Sequence, residues 1–472
     1  MLQAIIRFSL RFRGVIYALA LTAAGYGIYS TTRANLDVFP EFAPPMSIVQ
    51  AEAPGLTSEQ VETLVTQPIE NALAGMAGLK SIRSRSMQGL ASITLVFEDR
   101  ANVLQVRQLV SERLNTLTAA MPAGVMPPTL LPLTTTTSVV GTIGLTSKTL
   151  SPTALYDIAQ WTVRPQLLSA PGVADAIVFG AAARQLQVQV EPHQLLRYGL
   201  SLQDVIAAAR QATGTRGAGF IENENQRIAV HVDGQIADPK TLGDVVLRWS
   251  NGAALHLGDV AEIKWGEATQ VGAATIMGKP GVMVVMENQY GTNTMAVTRS
   301  IEKRLAALAP VLARQGVELQ PNVFRPANFI TTAIAHLRTA LLAGALLVVV
   351  VLFLFLLDLR TAAISAAAIP LSLLTAIVVL TSFGASLNTM TLAGLAIALG
   401  EVVDDAIIDV ENIYRRLREN RLRATPLPAL RVVLKASLEV RSAVVFATFV
   451  VMLIFLPVLT LSGVAGKLFA PL

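Results

Sequence analysis

The sequence predicts a polytopic α-helical membrane protein that carries a large α+β domain outside the lipid. Of its 472 residues, 53% are hydrophobic and only 15% are charged, and the apolar residues gather in runs near 20 residues long. Since soluble domains average about 25% charged residues, part of the chain is expected to lie in a bilayer. The chain has no cysteine, which excludes a disulfide framework, a thiolate metal site and a cysteine nucleophile.

Five apolar runs are long enough to be candidate transmembrane helices. The first follows Arg7, Arg11 and Arg13 and has no convincing small-residue cleavage site, so it is interpreted as an uncleaved anchor rather than a signal peptide. A further approach to the membrane is expected at Gly466–Leu472. The five runs are Gly14–Ser30, Thr339–Leu357, Ala362–Phe383, Met390–Ile408 and Ala443–Ser462.

Basic residues in the short loops predict the orientation of these runs. Arginines precede the first run, and Arg and Lys residues crowd the stretch from Arg415 to Arg441, between the fourth and fifth runs. Because basic loops stay in the cytoplasm and four crossings separate these two segments, both are placed on the cytoplasmic side. The stretch from about Thr31 to Arg338 then lies in the periplasm of a Gram-negative cell. The net charge of +5 is therefore mainly a topology signal and gives no support to nucleic-acid binding.

The periplasmic insert, from about Asn35 to Phe329, alternates short strands with amphipathic helices. Helices on one face of a small sheet, in a ferredoxin-like split β-α-β arrangement, bury such apolar stripes. The segment from Gly214 to about Gly266, rich in Gly, Asn and Asp, is predicted to be an inserted lobe. Strands are predicted at Ser81–Met87, Leu90–Phe97, Val139–Leu145, Ala174–Phe179, Gln185–Val190, Arg227–Val232, Val282–Glu287 and Val317–Pro321, and helices open at Thr57, Val103, Ser151, Ser201 and Thr294.

The fourth apolar run carries acidic residues, which are energetically unfavourable inside a bilayer. A carboxylate near the bilayer centre costs on the order of 3 kcal/mol. At about 100° per residue the acids fall within roughly 160° of the helix circumference, so they share one side that must face a polar cavity or partner helices. Adjacent acids in a low dielectric cannot both ionise readily, and such groups can pass protons between two compartments. The acids are Glu401, Asp404, Asp405, Asp409 and Glu411.

Asp404 and Asp405 are the first candidates for this proton relay. No Lys or Arg lies inside the five apolar runs, so a cationic partner is expected from protein outside this chain. Glu411 is a further candidate, and Glu401 and Asp409 are additional acids. Asp409 fits a simple interfacial position before the cytoplasmic arginines equally well.

Four separated motifs resemble the resistance-nodulation-division efflux permeases, specifically the heavy-metal branch typified by CzcA and CusA. The resemblance runs essentially from end to end and implies an inner-membrane homotrimer that exports heavy-metal cations by proton antiport. It implies a secondary transporter rather than an enzyme, no bound cofactor, a periplasmic adaptor (membrane fusion protein) and an outer-membrane channel as partners. The motifs are NLDVFPEFAPP (Asn35–Pro45), EAPGLTSEQVE (Glu52–Glu62), NVFRPANFI (Asn322–Ile330) and GLAIALGEVVDDAIIDVENI (Gly394–Ile413).

The resemblance also assigns roles to single residues. Asp404 and Asp405 match the acidic relay pair of the drug-exporting branch, and Asp404 with Glu411 matches the acids emphasised in the metal branch. Met390 matches a methionine that lines the proposed metal path of copper and silver exporters. Some metal exporters have a further acid where this chain has Ala398. The family's relay lysine and main methionine cluster belong to its second half.

The resemblance further implies a division of the chain. The family has twelve spans and two periplasmic inserts, so the chain is similar to the N-terminal half and is expected to be a fragment. The implied units are 1–32, a cytoplasmic segment with the first transmembrane helix; 33–132, a first porter subdomain; 133–180 with 272–332, a second; 181–271, a docking subdomain that contacts a neighbouring subunit; and 333–472, helices two to five with the start of a sixth.

Other functions fit parts of the pattern. Export of drugs or other hydrophobic compounds shares the Asp404–Asp405 pair. An intramembrane aspartyl protease needs two acids that face each other from two helices, whereas these neighbours point about 100° apart on one helix. A protein-translocation motor does not share the Asn35–Pro45 string. ATP is not the expected energy source, because the near match to a phosphate-binding loop at Gly272–Pro280 has the wrong spacing and lacks the Ser/Thr for magnesium.

Overall fold

A computed structural model of the protein describes the chain except for residues 1, 38–39, 118–120, 123, 215–219, 224–225, 230–235, 237, 251, 269–271, 357–358 and 424. The chain opens with two consecutive helices, α1 (Leu2–Arg11) and α2 (Arg13–Arg33). The first predicted apolar run lies entirely within α2. The following segment leads into an insert built of strands and short helices.

The insert alternates strands with helices much as the periodicity predicts. In chain order its elements are β1 (Met46–Glu52), α3 (Ser58–Val61), a π-helical turn (Glu62–Thr66), α4 (Gln67–Leu73), β2 (Leu79–Met87), β3 (Leu90–Phe97), α5 (Val103–Leu117), β4 (Thr129–Leu130), β5 (Thr134–Ser147), α6 (Pro152–Ile158), a π-helical turn (Ala159–Val163), α7 (Arg164–Leu168), β6 (Val173–Phe179), β7 (Arg184–Val190), α8 (Pro192–Tyr198), α9 (Leu202–Thr213), β8 (Phe220–Asn223), β9 (Gln226–Ala229), α10 (Pro239–Gly243), β10 (Val246–Ser250), β11 (Ala253–His256), a 3₁₀ turn (Leu257–Asp259), β12 (Ala261–Glu267), β13 (Ala274–Ile276), β14 (Lys279–Gln289), α11 (Thr294–Arg314) and β15 (Val317–Phe324).

The first sheet is antiparallel and has the strand order β2-β3-β1-β4. β3 lies between β1 and β2, which is the split β-α-β arrangement expected from the order of elements. Along β1 and β3 every second side chain points to the same face of the sheet, and on that face Val49, Ile93 and Leu95 are fully buried beneath the helices. Val65 and Val110 close this core from the helix side.

The second sheet draws strands from two separated parts of the chain. Its order is β13-β14-β5-β15, and β6 pairs with β14. The helices α6, α7 and α11 cover one face, and their apolar stripes meet the strands in a core that includes Ile143, Val284, Ile301 and Leu312. The segment between β6 and β13 therefore interrupts this unit in sequence but not in space.

That intervening segment forms a lobe with its own small core. β7 pairs antiparallel with β12, and Val205, Leu242, Leu257 and Val260 are buried between this pair and the neighbouring helices. Two hairpins, β8-β9 and β10-β11, complete the described part of the lobe. The end of the predicted strand Arg227–Val232 lies outside the described residues.

Local signals at the helix starts are confirmed. Thr57 and Gln60 form the expected capping box, and Ser201 forms another with Asp204. The Ser151 side chain accepts a hydrogen bond from the amide of Ala154 at 3.2 Å. A π-helical turn, Glu62–Thr66, lies just before Pro68, because proline has no N–H to continue the α-helical ladder.

The rest of the chain is a set of long helices. Three described helices are long and apolar enough to cross a membrane, at Ala327–Val351, Ala362–Ser382 and Ala429–Leu459. The other two predicted runs lie in α2 and α14, which are less apolar than these three helices. In α14 the difference comes from the acids and from the arginine-rich C-terminal end. The helices are α12 (Ala327–Leu356), α13 (Leu359–Ser382), α14 (Thr389–Arg421), α15 (Ala429–Leu459) and α16 (Gly463–Phe469).

The helix that contains the fifth predicted run starts well before that run. The apolar run was expected to start at Ala443, whereas α15 starts at Ala429, so Arg431, Lys435 and Arg441 are helical rather than in a loop. Hydropathy falls at charged residues, but Arg, Lys, Glu, Leu and Ala all favour helix, so the helix continues through them. The extra turns bring α15 alongside the C-terminal part of α14.

Small residues allow the helices to approach closely. α2 packs against α13, where Gly27 is buried, and a Cβ atom on it would lie 2.6 Å from the Cβ of Leu374. One turn further along, the hydroxyls of Ser30 and Thr381 are 2.7 Å apart. α13 also contacts α14, which in turn contacts α15. The helices are thus linked in the order α2, α13, α14, α15.

Candidate functional site

The acid-bearing helix α14 starts from a fixed point. The buried Asn388 caps it, and its side-chain oxygen accepts the amides of Met390 at 2.9 Å and Thr391 at 3.1 Å. The Thr391 hydroxyl in turn accepts the amide of Asn388 at 2.8 Å, which completes a capping box. From this cap the helix continues for 33 residues to Arg421. The acids therefore sit on one continuous helix.

The five acids divide into two groups by exposure. Glu401, Asp405 and Asp409 are half-buried, whereas Asp404 and Glu411 are exposed on this chain. The acids span roughly 160° of the helix circumference, so one edge of the acidic face meets a neighbour and the other does not. The expectation that the whole face is enclosed is therefore met by this chain only in part.

The enclosed edge of the acidic face lies against α15. Asp409 forms an ion pair with Arg441, in which the Asp409 side chain is 15% exposed and the Arg441 side chain is 35% exposed. Asp405, one turn before Asp409, lies beside Thr448 and close enough to Arg441 to interact with its charge. The second carboxylate oxygen of Asp409 is buried and has no hydrogen-bond partner among the described residues.

This contact corrects the sequence-based expectation that any cationic partner lies outside the chain. Arg441 was assigned to the loop, but it extends from α15 to Asp409. A helical signal was present, because Val432, Ala436 and Ser437 recur at helical spacing before Ala443 and are buried. Asp409 thus has a specific partner within the chain, an ion pair that is compatible with the interfacial position as well as with a role in the acidic face.

Further polar contacts continue along the same pair of helices. The buried Asn412 donates from its side-chain amide to the carbonyl of Ala436 at 2.8 Å. Arg416 pairs with Glu439 on α15 and with Glu419 on its own helix. Since an α15 partner recurs about every turn, these contacts fix the rotation of α14 about its axis. They hold Asp405 and Asp409 toward α15.

Met390 lies at the other end of α14. It is half-buried in the first turn, about 21 Å from Asp404 at about 1.5 Å rise per residue. The structure therefore does not bring the candidate metal-path methionine together with the candidate relay acids. In the part of the chain that is described, no group of three or more His, Asp or Glu side chains is placed to hold a metal ion.

A cavity of about 1000 Å³, lined by apolar and several charged side chains, lies where the insert meets the α13–α14 loop and α16. Burial raises the pKa of Glu287, and the nearby Asp175 raises it further. Lys467 of α16 lies 3.0 Å from Asp99 and holds the pKa of that carboxyl below its usual range. Sequence reasoning assigned no role to these residues. The charged lining side chains are Asp37, Glu41, Asp99, Arg107, Asp175, Glu287 and Lys467.

Comparison with known proteins agrees with this architecture. A model of the AcrB/AcrD/AcrF family matches residues 5–472. Protein HelA of Legionella pneumophila is 34% identical over 483 residues, which cover 100% of this chain and 45% of that protein. The cobalt-zinc-cadmium resistance protein CzcA of Cupriavidus metallidurans is 32% identical over 485 residues, with 100% and 45% covered. The cation efflux system protein CusA of Escherichia coli K12 is 30% identical over 488 residues, with 100% and 46% covered.

A solved structure shares the fold. The crystal structure of a heavy metal efflux pump (crystal form II) superposes with a TM-score of 0.87 and 28% sequence identity, covering 99% of this chain and 45% of that one. The chain thus spans a little under half the length of the relatives it matches. From the family match over nearly all of its residues, together with the shared fold, the chain belongs to the AcrB/AcrD/AcrF family of resistance-nodulation-division permeases.

Proposed function

We propose that the chain forms part of a proton-driven transporter that exports heavy-metal cations across the bacterial inner membrane. The observation that carries this proposal is the row of carboxylates on α14, whose enclosed edge is held against a neighbouring membrane helix by Arg441. Carboxylates in such a helix are costly and are retained where they do chemistry. Relatives whose names specify cobalt-zinc-cadmium resistance or cation efflux support the choice of substrate class.

The roles of the acids follow from their surroundings. Asp404, Asp405 and Glu411 take up and release protons, with Glu401 as an additional acid on the same face. Asp409 is compensated by Arg441 and fixes the position of the face rather than carrying the mobile proton. The exposed carboxylates of Asp404 and Glu411 would be covered by the remaining helices of the complete transporter.

The energy available from protons is sufficient for export. Each charge that crosses the membrane releases about 2.3 kcal/mol per 100 mV, so several protons can drive one cation against its gradient.

The chain is proposed to cross the membrane five times with its insert in the periplasm. The two larger sheet units act as porter subdomains, with boundaries near 33–132 and 133–180 with 272–332, and the lobe at 181–271 docks a neighbouring subunit.

The assembly proposed for the complete protein is a homotrimer that works with a periplasmic adaptor and an outer-membrane channel. The transported metal cation is the substrate, the proton is the coupling ion, and no resident cofactor is proposed. Met390, a thioether at the outer end of α14, is the proposed metal-path residue, since soft ligands suit Cu(I) and Ag(I).

A growth assay tests the function and its substrate class. Asp404→Asn and Asp405→Asn, made in the complete transporter, should abolish resistance of a metal-sensitised host to the exported cation, while trimers still assemble. Asp244→Asn, which neutralises an exposed carboxylate of the lobe, serves as the matched control. The host is challenged with Zn²⁺, Co²⁺, Ni²⁺, Cd²⁺, Cu⁺ and Ag⁺, and separately with dyes and antibiotics.

The outcomes separate the alternatives. Full metal resistance in both relay variants rejects the relay assignment. Protection by the wild type against dyes or antibiotics alone rejects metal export in favour of the drug exporter that shares the Asp404–Asp405 pair.

A further inference from the structure

A short segment directly after α2 contacts both the membrane helices and the insert. We call this segment, Asn35–Asp37, the strap. On its membrane side, Leu36 forms a parallel β-bridge with Leu387. The amide of Leu387 donates to the carbonyl of Asn35 at 2.8 Å, and the amide of Asp37 donates to the carbonyl of Leu387 at 3.2 Å. The strap is therefore tied through its backbone to the α13–α14 loop.

This anchor lies at the start of the acid-bearing helix. Leu387 is 3% exposed and immediately precedes Asn388, the buried residue that caps α14. A movement of the first turn of α14 must either carry Leu387 and the strap with it or break both backbone hydrogen bonds. The strap is thus mechanically continuous with the helix that bears the proposed relay.

The other side of the strap holds the beginning of α11. The side-chain amide of Asn293 donates to the side-chain oxygen of Asn35 at 3.1 Å, and the Thr294 hydroxyl donates to the carboxylate of Asp37 at 3.1 Å. Asn293 is also the N-cap of α11, because its side-chain oxygen accepts the amide of Ala296 at 2.9 Å. The contact is made to the first turn of the helix, where its position is fixed.

α11 is a rigid part of the second sheet unit. It runs for 21 residues, and Val297, Ile301, Leu305, Leu308 and Leu312 are buried along its length. Thr294, which contacts the strap, is itself only 5% exposed. A displacement of the first turn of α11 therefore moves the helix together with the sheet that it covers, since a close-packed core transmits strain.

We propose that the strap couples α14 to α11, so that the displacement of α14 on proton binding is passed to the second sheet unit of the insert. The inference rests on the proposed function and names Asn35 and Asp37 as positioning residues for transport. Contiguous hydrogen bonds between stiff elements are one physical route by which two distant sites can share one equilibrium. Asp37 acts in this route as a hydrogen-bond acceptor, not as a charge.

Reconstituted complete transporter tests the coupling. Proteoliposomes with an internal pH dye report proton flux before and after addition of the cation to which the wild type confers resistance, and equilibrium dialysis reports binding of that cation. Asp37→Ala and Thr294→Val each remove the same hydrogen bond from opposite partners. Asp37→Asn keeps an acceptor oxygen, and Glu98→Ala removes an exposed carboxylate elsewhere on the insert as a control.

Asp37→Ala and Thr294→Val should lower the cation-stimulated proton flux at least tenfold, with cation binding and the thermal unfolding midpoint close to those of the wild type. Asp37→Asn and Glu98→Ala should keep the stimulation. If Asp37→Ala does not fold, Thr294→Val alone decides the result.

Three results would overturn the proposal. Stimulated flux at the wild-type level in Thr294→Val or Asp37→Ala shows that the strap does not couple the two elements. A loss in Asp37→Asn as large as that in Asp37→Ala shows that the carboxylate charge, and not the hydrogen bond, matters. A wild type without any cation-stimulated flux rejects the proposed function itself, and the coupling falls with it.

Discussion

Removal of the Arg441–Asp409 ion pair should destabilise the α14–α15 contact by a measurable amount. Loss of one partner from a fully buried pair costs about 3–5 kcal/mol, whereas an exposed pair contributes about 0–1 kcal/mol. With Asp409 at 15% and Arg441 at 35% exposure, this pair lies between those limits. Arg441→Met should therefore cost about 1–3 kcal/mol, because the half-buried carboxylate is left without a counter-charge.

A double-mutant cycle isolates this interaction from other effects of the substitutions. Asp409→Asn, Arg441→Met, the double variant and the wild type are unfolded thermally in the same detergent, and a coupling free energy of about 1–2 kcal/mol is expected. The matched control is the pair formed by Arg184 and Asp157 in the insert, which is 3.4 Å long and more exposed, and whose coupling should stay below about 1 kcal/mol. A coupling within about 0.3 kcal/mol of zero for the Arg441 pair would refute the reasoning.

Two further predictions concern helix packing and the pH dependence of stability. Gly27→Ala places a Cβ atom 2.6 Å from that of Leu374 and should cost about 1–3 kcal/mol relative to Gly25→Ala, which meets no heavy atom within 4 Å; equal unfolding midpoints would contradict the packing. Burial and the nearby Asp175 raise the folded-state pKa of Glu287, so its protonated form stabilises the fold at low pH, and this stabilisation is lost as pH rises through the folded pKa. Glu287→Gln should therefore raise the unfolding midpoint at pH 7 and change it little at pH 4, and a lower midpoint at pH 7 would be inconsistent with this sign.

Local features of the insert could be predicted because their causes are local. The capping boxes at Thr57 and Ser201 each need only residues three positions apart, and both form. In the strand Leu90–Phe97 every second residue is apolar and buried, from Ala91 to Phe97, as the period of two requires. The predicted limits of this strand are those observed.

Features that depend on distant residues could not be read in the same way. The β-bridge joins Leu36 and Leu387, which are far apart in sequence, and no local sequence pattern near either residue indicates the pairing. The contact of Arg441 with Asp409 was missed because hydropathy marked the start of the apolar run rather than the start of the helix. In both cases only one partner, Leu36 or Asp409, lies in a motif identified from the sequence, and the folded chain shows which distant segment it meets.

The most direct test of the central claim is proton movement that depends on the transported cation. In proteoliposomes of the complete transporter, addition of the cation should drive proton counterflow in the wild type and in Asp244→Asn. Asp404→Asn and Asp405→Asn should give none, although both still bind the cation. Counterflow at the wild-type rate in both relay variants would contradict the claim that carboxylates on α14 carry the driving protons.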